Sequence, residues 1–239
     1  MIATGAMVLP RLLDAPPDEA PPPAMTDAVT QAPDDGPTEP ESLSAYDALS
    51  DEDKAFLNEI AAAMLSFLAE YESGAFENNA TGGLNRAEQE IYALQNSPRF
   101  KALLDTVNAT GEQELLWPAP QGDAICSAFR IGEAGAATYH FDLFKGSGGA
   151  GYYIGSRGDT GDYSALHVIP YSGGTANGTA HYFVFPFASG EEAFVQRLQI
   201  QSGAAFGTAQ ITTKSGETRE DDSNIAAQNW FLAWPEELN

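Results

Sequence analysis

The sequence predicts an α+β fold in three parts: an extended N-terminal tether, a small helical region, and a C-terminal antiparallel β-sandwich or jelly-roll-like domain. Residues 1–49 are rich in Pro, Ala and acids, residues 50–110 carry apolar side chains every three or four positions, and residues 111–239 alternate between apolar and polar. These patterns are typical of an unpacked linker, of amphipathic helices and of half-buried strands. A chain of 239 residues is long enough for one or two domains with a substantial core.

The first 49 residues predict a linker with one apolar segment ahead of it. Pro and acidic residues are dense in DAPPDEAPPPAMTDAVTQAPDDGPTEPES, so this stretch repels itself and buries no core. The preceding segment MVLPRLL, residues 7–13, is apolar. We expect residues 1–14 to bind a protein partner as an added strand or a groove peptide. The alternative is a terminus without fixed structure.

Three helices are predicted between residues 50 and 110. Ser50 is a suitable N-cap for a helix over residues 51–72, which carries one apolar face and ends before Gly74. Asn85 is the predicted cap of a second helix. Ser97, followed by a proline, opens a short third one, and the alternative is that the last two form one kinked element.

Short strands joined by glycine-rich turns are predicted from residue 111 onward. The segments are rich in aromatic and β-branched residues, and turns such as KGSGGAG and YSGGTANG separate them. This spacing favours an antiparallel sandwich or barrel and does not separate a jelly roll from an immunoglobulin-like sandwich. The predicted strands are 124–131, 137–144, 151–156, 163–171, 179–187, 194–201, 207–214 and 225–234.

Charge and cysteine content exclude several classes of function. The formal net charge is −23, from 34 acids against 11 bases, so phosphate groups repel the chain, and we expect no binding to nucleic acid or to an anionic membrane. Cys126 is the only cysteine, which excludes an intramolecular disulfide, and its apolar neighbours predict a buried thiol. We expect no targeting or transmembrane segment. The compartment stays open, with a virion or the cytoplasm as expectations.

His140 and Asp142 stand two residues apart in a predicted strand and therefore share one face. The run from Arg130 to Asp142 resembles the strand that carries the His-x-Asp iron ligands in the prolyl-hydroxylase branch of the 2-oxoglutarate oxygenases. The resemblance implies a double-stranded β-helix that holds Fe²⁺ through His140, Asp142 and a later histidine, for which His181 is the candidate. His181 follows His140 by 41 residues, and Arg197, the candidate for the 2-oxoglutarate carboxylate, follows by 16 more. Both spacings depart from the family pattern.

The same residues also fit an ordinary half-buried strand. In ATYHFDLF, the apolar Tyr139, Phe141 and Leu143 alternate with His140 and Asp142. A strand with one wet face has this pattern, so the two polar side chains would be solvated or paired across strands. No cofactor is needed under this interpretation.

The sequence also suggests a structural Ca²⁺ site. The loop SRGDTGDYS offers oxygen donors, among them Asp159 and Asp162, although the spacing of an EF-hand is absent. The alternative is a solvated turn. The chain has no GxSxG elbow, HExxH motif or phosphate-binding loop, so no catalytic residue is predicted.

Aromatic residues near polar turns suggest a sugar-binding surface. Rings beside Asn, Ser and Asp side chains can stack on a sugar, whereas the alternative is that they fill and rim the sandwich. The candidate carbohydrate-binding residues are Tyr152, Tyr153, Tyr163, Trp230 and Trp234.

The order of the parts suggests an attachment role. An apolar segment, an acidic spacer, a helical collar and a β-rich head suit a non-enzymatic structural or attachment module, such as a virion- or surface-associated protein whose head binds a glycan. A homo-oligomer fits this layout, which is an analogy of arrangement and not a family motif. The alternative function is the metal-dependent oxygenase described above.

Overall fold

A computed structural model describes residues 45–112, 114–131, 138–158, 163–221 and 233–239. Residues 1–44, which hold most of the predicted tether, lie outside this part of the chain. The helical elements are α1 (Asp51–Glu72), α2 (Ala80–Ala87), a π-helical turn (Glu88–Tyr92), α3 (Ala93–Gln95) and α4 (Pro98–Asn108). Among the described residues, no helix is both long and apolar enough to cross a membrane.

Side-chain caps fix where the helices begin. The Ser50 hydroxyl accepts a hydrogen bond from the backbone N–H three residues on, at 3.1 Å, which confirms the predicted start of α1. The predicted start of the second helix is wrong. Its cap is Asn79, whose side chain accepts from Gly82 N at 3.0 Å, and Asn85 lies inside α2. Ser97 caps α4 as predicted, through a 3.2 Å bond from Phe100 N.

Among the described residues, ten strands form one antiparallel sheet that follows chain order almost throughout and does not close into a barrel. The first and last strands, β1 and β10, lie at its two edges. The predicted strand 225–234 falls mostly outside the described residues, and the sequence did not predict β1, β6 or β10. The strands are β1 (Glu114–Pro118), β2 (Ala124–Ile131), β3 (Thr138–Ser147), β4 (Ala150–Arg157), β5 (Tyr163–Ser172), β6 (Thr175–Ala176), β7 (Gly178–Pro186), β8 (Phe194–Gln201), β9 (Ala204–Thr213) and β10 (Thr218–Asp221).

The helices pack on one face of the sheet, here called the helix face. The Phe67 ring of α1 meets Phe183 of β7 edge-on, with centroids 5.3 Å apart, and Trp117 of β1 meets Phe141 of β3 at 5.4 Å. Cys126 lies in this core, which confirms its predicted burial. The helical and β-rich regions therefore share one apolar core.

The opposite side of the sheet, here called the far face, has its own buried cluster. Residues paired across neighbouring strands share a face, so Asp142 of β3, Gly155 of β4 and His167 of β5 stand side by side on it. Apolar side chains of the far face pack around Trp234 from the chain end. Six successive residues of β5, Ser164–Ile169, are buried, so both faces of the central strands are covered. The predicted α+β fold with a β-sandwich-like domain is confirmed.

His140 and Asp142 do not face solvent, so the solvated alternative is wrong, whereas Asp142 is paired across strands with Tyr153 of β4. The relative exposures of His140 and Asp142 are only 2% and 3%. The alternation in β3 is real, but it separates two buried faces, because the far face has its own buried cluster, which includes Trp234.

Candidate functional site

Asp142 and Tyr153 form a buried hydrogen bond at the middle of the far face. The Tyr153 hydroxyl donates to Asp142 Oδ1 at 2.7 Å. The tyrosine ring reaches the carboxyl group across Gly155, where a Cβ would lie 2.0 Å from the hydroxyl oxygen and 2.6 Å from Asp142 Oδ1. A side chain at 155 would occupy the space that the pair uses, so this contact requires glycine.

Burial changes the proton equilibrium of this pair. Loss of hydration raises the pKa of the Asp142 carboxyl to about 7; the hydrogen bond from Tyr153 opposes the rise, and the Glu114 carboxylate adds to it. Burial likewise raises the pKa of Tyr153 well above its ordinary value. Asp142 therefore exchanges its proton near neutral pH, whereas Tyr153 stays a hydrogen-bond donor.

Two neutral histidines lie on the same face as this pair. Burial, with a smaller contribution from the nearby Arg157 charge, lowers the pKa of His140 to about 4, and its ring stacks on Phe129 at 4.5 Å between centroids. Burial and then the proximity of His140 lower the pKa of His167 to about 3. Within the described part of the chain, His167 Nδ1 is buried without a hydrogen-bond partner.

A cavity of about 460 Å³ opens beside Asp142, between strands β1–β3 and the chain end. We call it the far-face cavity. Its walls combine rings and aliphatic groups with a few polar side chains. Its lining residues are Glu114, Leu116, Ile125, Cys126, Ser127, Phe129, Arg130, Asp142, Phe144, Ala233, Pro235 and Glu237.

The charges around this cavity are mainly negative. Glu114 and Glu237 are exposed at its rim, and Asp142 is buried in its wall. The guanidinium of Arg130 is engaged elsewhere, with Nε 3.2 Å from Asp105 Oδ1 of α4. The cavity therefore favours a positively charged or hydrogen-bond-donating group over an anion.

The structure does not bring the predicted iron ligands together. His181 lies on the helix face, where its Nδ1 is 2.6 Å from the Tyr71 hydroxyl oxygen, whereas His140 and Asp142 lie on the far face. Among the described residues, no three His, Cys, Asp or Glu side chains are grouped to hold a metal ion. These residues do not present the two-histidine, one-carboxylate set that the resemblance implies. The proposed Ca²⁺ ligands Asp159 and Asp162 lie outside the described residues.

The candidate sugar-binding residues also separate. Tyr152 faces the helices, and its ring lies 6.0 Å from that of Tyr71. Tyr153 and Trp234 are buried in the far-face cluster, and Tyr163 is partly buried. Trp230 lies outside the described residues. The described members therefore form no single exposed stacking surface.

Comparison with known proteins gives no relative: no family model, no curated protein and no solved structure matches the chain. The site can therefore be interpreted only from its own chemistry.

Sequence reasoning identified Asp142 and Tyr153 separately but not as a pair, and it gave no role to Gly155. The signal that joins them is register, because β3 and β4 are linked by a short turn that places residues 142 and 155 opposite each other. The cavity rim was also missed, since β1 carries no motif.

Proposed function

We propose that the chain is a non-enzymatic attachment module with a β-rich head, residues 111–239, and that the far-face cavity of this head takes a small organic cation with an apolar body. The observation that carries this proposal is a buried carboxyl group, Asp142, in the wall of an otherwise largely apolar cavity of about 460 Å³. Small-molecule sites are commonly ~300–1,000 Å³, apolar, with a few placed polar groups.

Aromatic rings support a cationic ligand. Phe129 and Phe144 line the cavity, and ring faces attract ammonium groups by ~0.5–2 kcal/mol, depending on desolvation. The ionised form of Asp142 would pair with the same ammonium group. Glu114 and Glu237 at the rim would attract the cation and repel an anion of the same shape.

A matched set of three probes tests this proposal on the full chain at pH 8, by isothermal titration calorimetry. The probes are 2-phenylethylammonium, the neutral 2-phenylethanol and the anionic 3-phenylpropionate. A charge-assisted contact contributes ~1.5–3 kcal/mol, so the ammonium probe should bind at least about tenfold more tightly than the alcohol. The anion should bind most weakly.

Asp142→Asn should remove the preference for the ammonium probe while leaving the alcohol affinity nearly unchanged. Asp123→Asn, on the exposed turn before β2, is the control for the change in net charge. Equal affinities for the three probes in the native chain, or an ammonium preference that survives Asp142→Asn, would refute the cationic ligand. A glycan array on the same variants tests the carbohydrate alternative, which does not need an ionised Asp142.

The attachment part of the proposal concerns residues 1–14. Their apolar character and the acidic, proline-rich spacer support a tether, since such peptides dock as added strands or in grooves. Deletion of residues 1–44 should abolish docking to the partner assembly and leave probe binding by the head unchanged. Docking at full occupancy by the truncated chain would contradict the tether.

A further inference from the structure

A second cleft, of about 230 Å³, lies on the helix face and is separate from the far-face cavity. It opens between the end of α1 with its following turn and strands β7 and β8. We call it the α1–β7 cleft. Tyr71, Phe76 and Glu77 line it from the helical side, and Thr179, His181 and Arg197 line it from the sheet.

Neutral groups fix one wall of this cleft. His181 Nδ1 and the Tyr71 hydroxyl share a hydrogen bond of 2.6 Å, and their rings meet edge-on at 5.0 Å. Burial, and then the Arg197 charge, lower the pKa of His181 to about 4, so the ring is neutral at physiological pH. The charged side chains in the cleft are therefore Arg197 and Glu77.

Arg197 carries the positive charge of this cleft. Within the described residues, five other Lys or Arg side chains form ion pairs with acids, whereas Arg197 forms none. It stands directly opposite His181 in the register of β7 and β8. Glu77 lines the same cleft, and no ion pair joins the two residues. Two side chains of opposite charge therefore line one small cleft without forming an ion pair.

We propose that the α1–β7 cleft binds a small zwitterion of the α-amino acid class. The guanidinium of Arg197 offers paired N–H donors that match a carboxylate, and the Glu77 carboxylate accepts hydrogen bonds from an ammonium group. The partly buried ring of Phe76 provides an apolar contact for a short side chain. The volume suits a free amino acid and not a peptide.

A simple anion fits the cleft less well. It would gain from Arg197 but would be repelled by Glu77, because both side chains line the same 230 Å³. A simple cation meets the reverse problem. A ligand that carries both charges uses both residues, and the proposal therefore predicts that each half of the molecule alone binds weakly.

The test uses L-alanine and its two halves, propionate and ethylammonium, with the full chain. Binding is followed by NMR shifts of the His181 ring and by calorimetry. L-alanine should bind at least about tenfold more tightly than either half, because each charge-assisted contact contributes separately. Arg197→Gln and Glu77→Gln should each reduce L-alanine affinity about tenfold. Arg219→Gln and Glu217→Gln, at exposed positions of β10 and the turn before it, are matched controls and should change nothing.

Three results would overturn the proposal. The first is that propionate binds as tightly as L-alanine and that Glu77→Gln increases the affinity for propionate. This result would define a plain anion site. The second is equal loss in Arg219→Gln, which would show a non-specific charge effect. The third is no saturable shift of the His181 ring by L-alanine. Arg197→Lys keeps the positive charge but not the paired donors, so it should lose part of the L-alanine affinity. It is a second variant at this position in case Arg197→Gln does not fold. Asp142→Asn should leave this site unchanged, so its outcome is independent of the far-face cavity.

Discussion

Replacing Asp142 by asparagine should stabilise the fold at alkaline pH and do so much less at acidic pH. An asparagine side-chain oxygen can still accept the hydrogen bond from Tyr153, so the contact across Gly155 is kept. The substitution removes only the group that must be buried with a negative charge above neutral pH. Its effect on stability should therefore depend on pH in a way that follows the Asp142 pKa.

The magnitude follows from the shift in that pKa from 3.8 to about 7. Because the folded pKa is the higher one, the folded chain holds a proton that the unfolded chain releases. The favourable contribution is complete below pH 4 and is lost as pH rises to 7. Between pH 5 and pH 8, two of the three pKa units are crossed, which corresponds to about 3 kcal/mol at ~1.4 kcal/mol per unit. Asp142→Asn should thus gain about 3 kcal/mol relative to the native chain over this interval.

Urea unfolding at pH 5 and pH 8 measures this difference directly. The lowered pKa values of His140 and His167 reduce stability as pH falls below 6.5, but both residues are present in both proteins, so their effect cancels. Asp123→Asn, at an exposed position, should follow the native chain at both pH values. If Asp142→Asn also follows the native chain to within ~0.5 kcal/mol, the carboxyl group is ionised and hydrated in the fold at pH 5, and the burial argument fails.

Three further predictions rest on the same face and on the core. Affinity for 2-phenylethylammonium should fall by up to about tenfold per pH unit below pH 7, as Asp142 is protonated, and a titration that is flat from pH 8 to pH 5 would contradict this. Gly155→Ala should destabilise the fold by roughly 1–3 kcal/mol, because its Cβ collides with Tyr153, whereas Gly122→Ala, with nothing within 4 Å, should have little effect in the same urea assay. Phe141→Ala should cost ~3–5 kcal/mol in thermal or urea unfolding, since the ring is fully buried between sheet and helices, and a cost below ~1 kcal/mol would contradict its place in the core.

The sequence was most informative where periodicity and local signals agree. Helix α1 shows an apolar face, a serine cap and a glycine after its end, and its predicted bounds are those observed. Strands β2 and β8 were also predicted with their observed bounds, because turns mark both of their ends. Each of these features depends on residues close together in the chain.

The misplaced helix start shows the opposite situation. Asn79 and Asn85 are both suitable caps by residue type, and two glycines between them weaken the helical signal. Packing determines where this helix begins, because Leu84 is fully buried in the core and holds this turn in helical form. A local pattern cannot show that contact.

Sequence patterns could not predict the candidate site, because pairing between strands that are distant in the sequence forms it. In β3, alternation correctly separated Phe141 from its neighbour Asp142, but it could not show that the second face is buried as well. That knowledge requires the register of β3, β4 and β5, which brings Tyr153 and His167 to the side of Asp142. The cavity also requires residues 233–237 to lie near β1. These two segments are more than a hundred positions apart in the sequence.

The thermodynamics of Asp142 support a binding role for the far face. An asparagine would make the same hydrogen bond with Tyr153 without a charge to bury, so the fold alone gains nothing from a carboxyl group at this position. Holding an acid there lowers stability above neutral pH by an amount comparable to several ordinary contacts, about 4 kcal/mol at full ionisation. A ligand cation would lower the Asp142 pKa again and recover part of that energy on binding. Groups that oppose stability in this way are concentrated at functional sites. This argument supports the proposal that the head binds its ligand at Asp142 and the adjoining cavity, and not at the aromatic residues that the sequence first suggested.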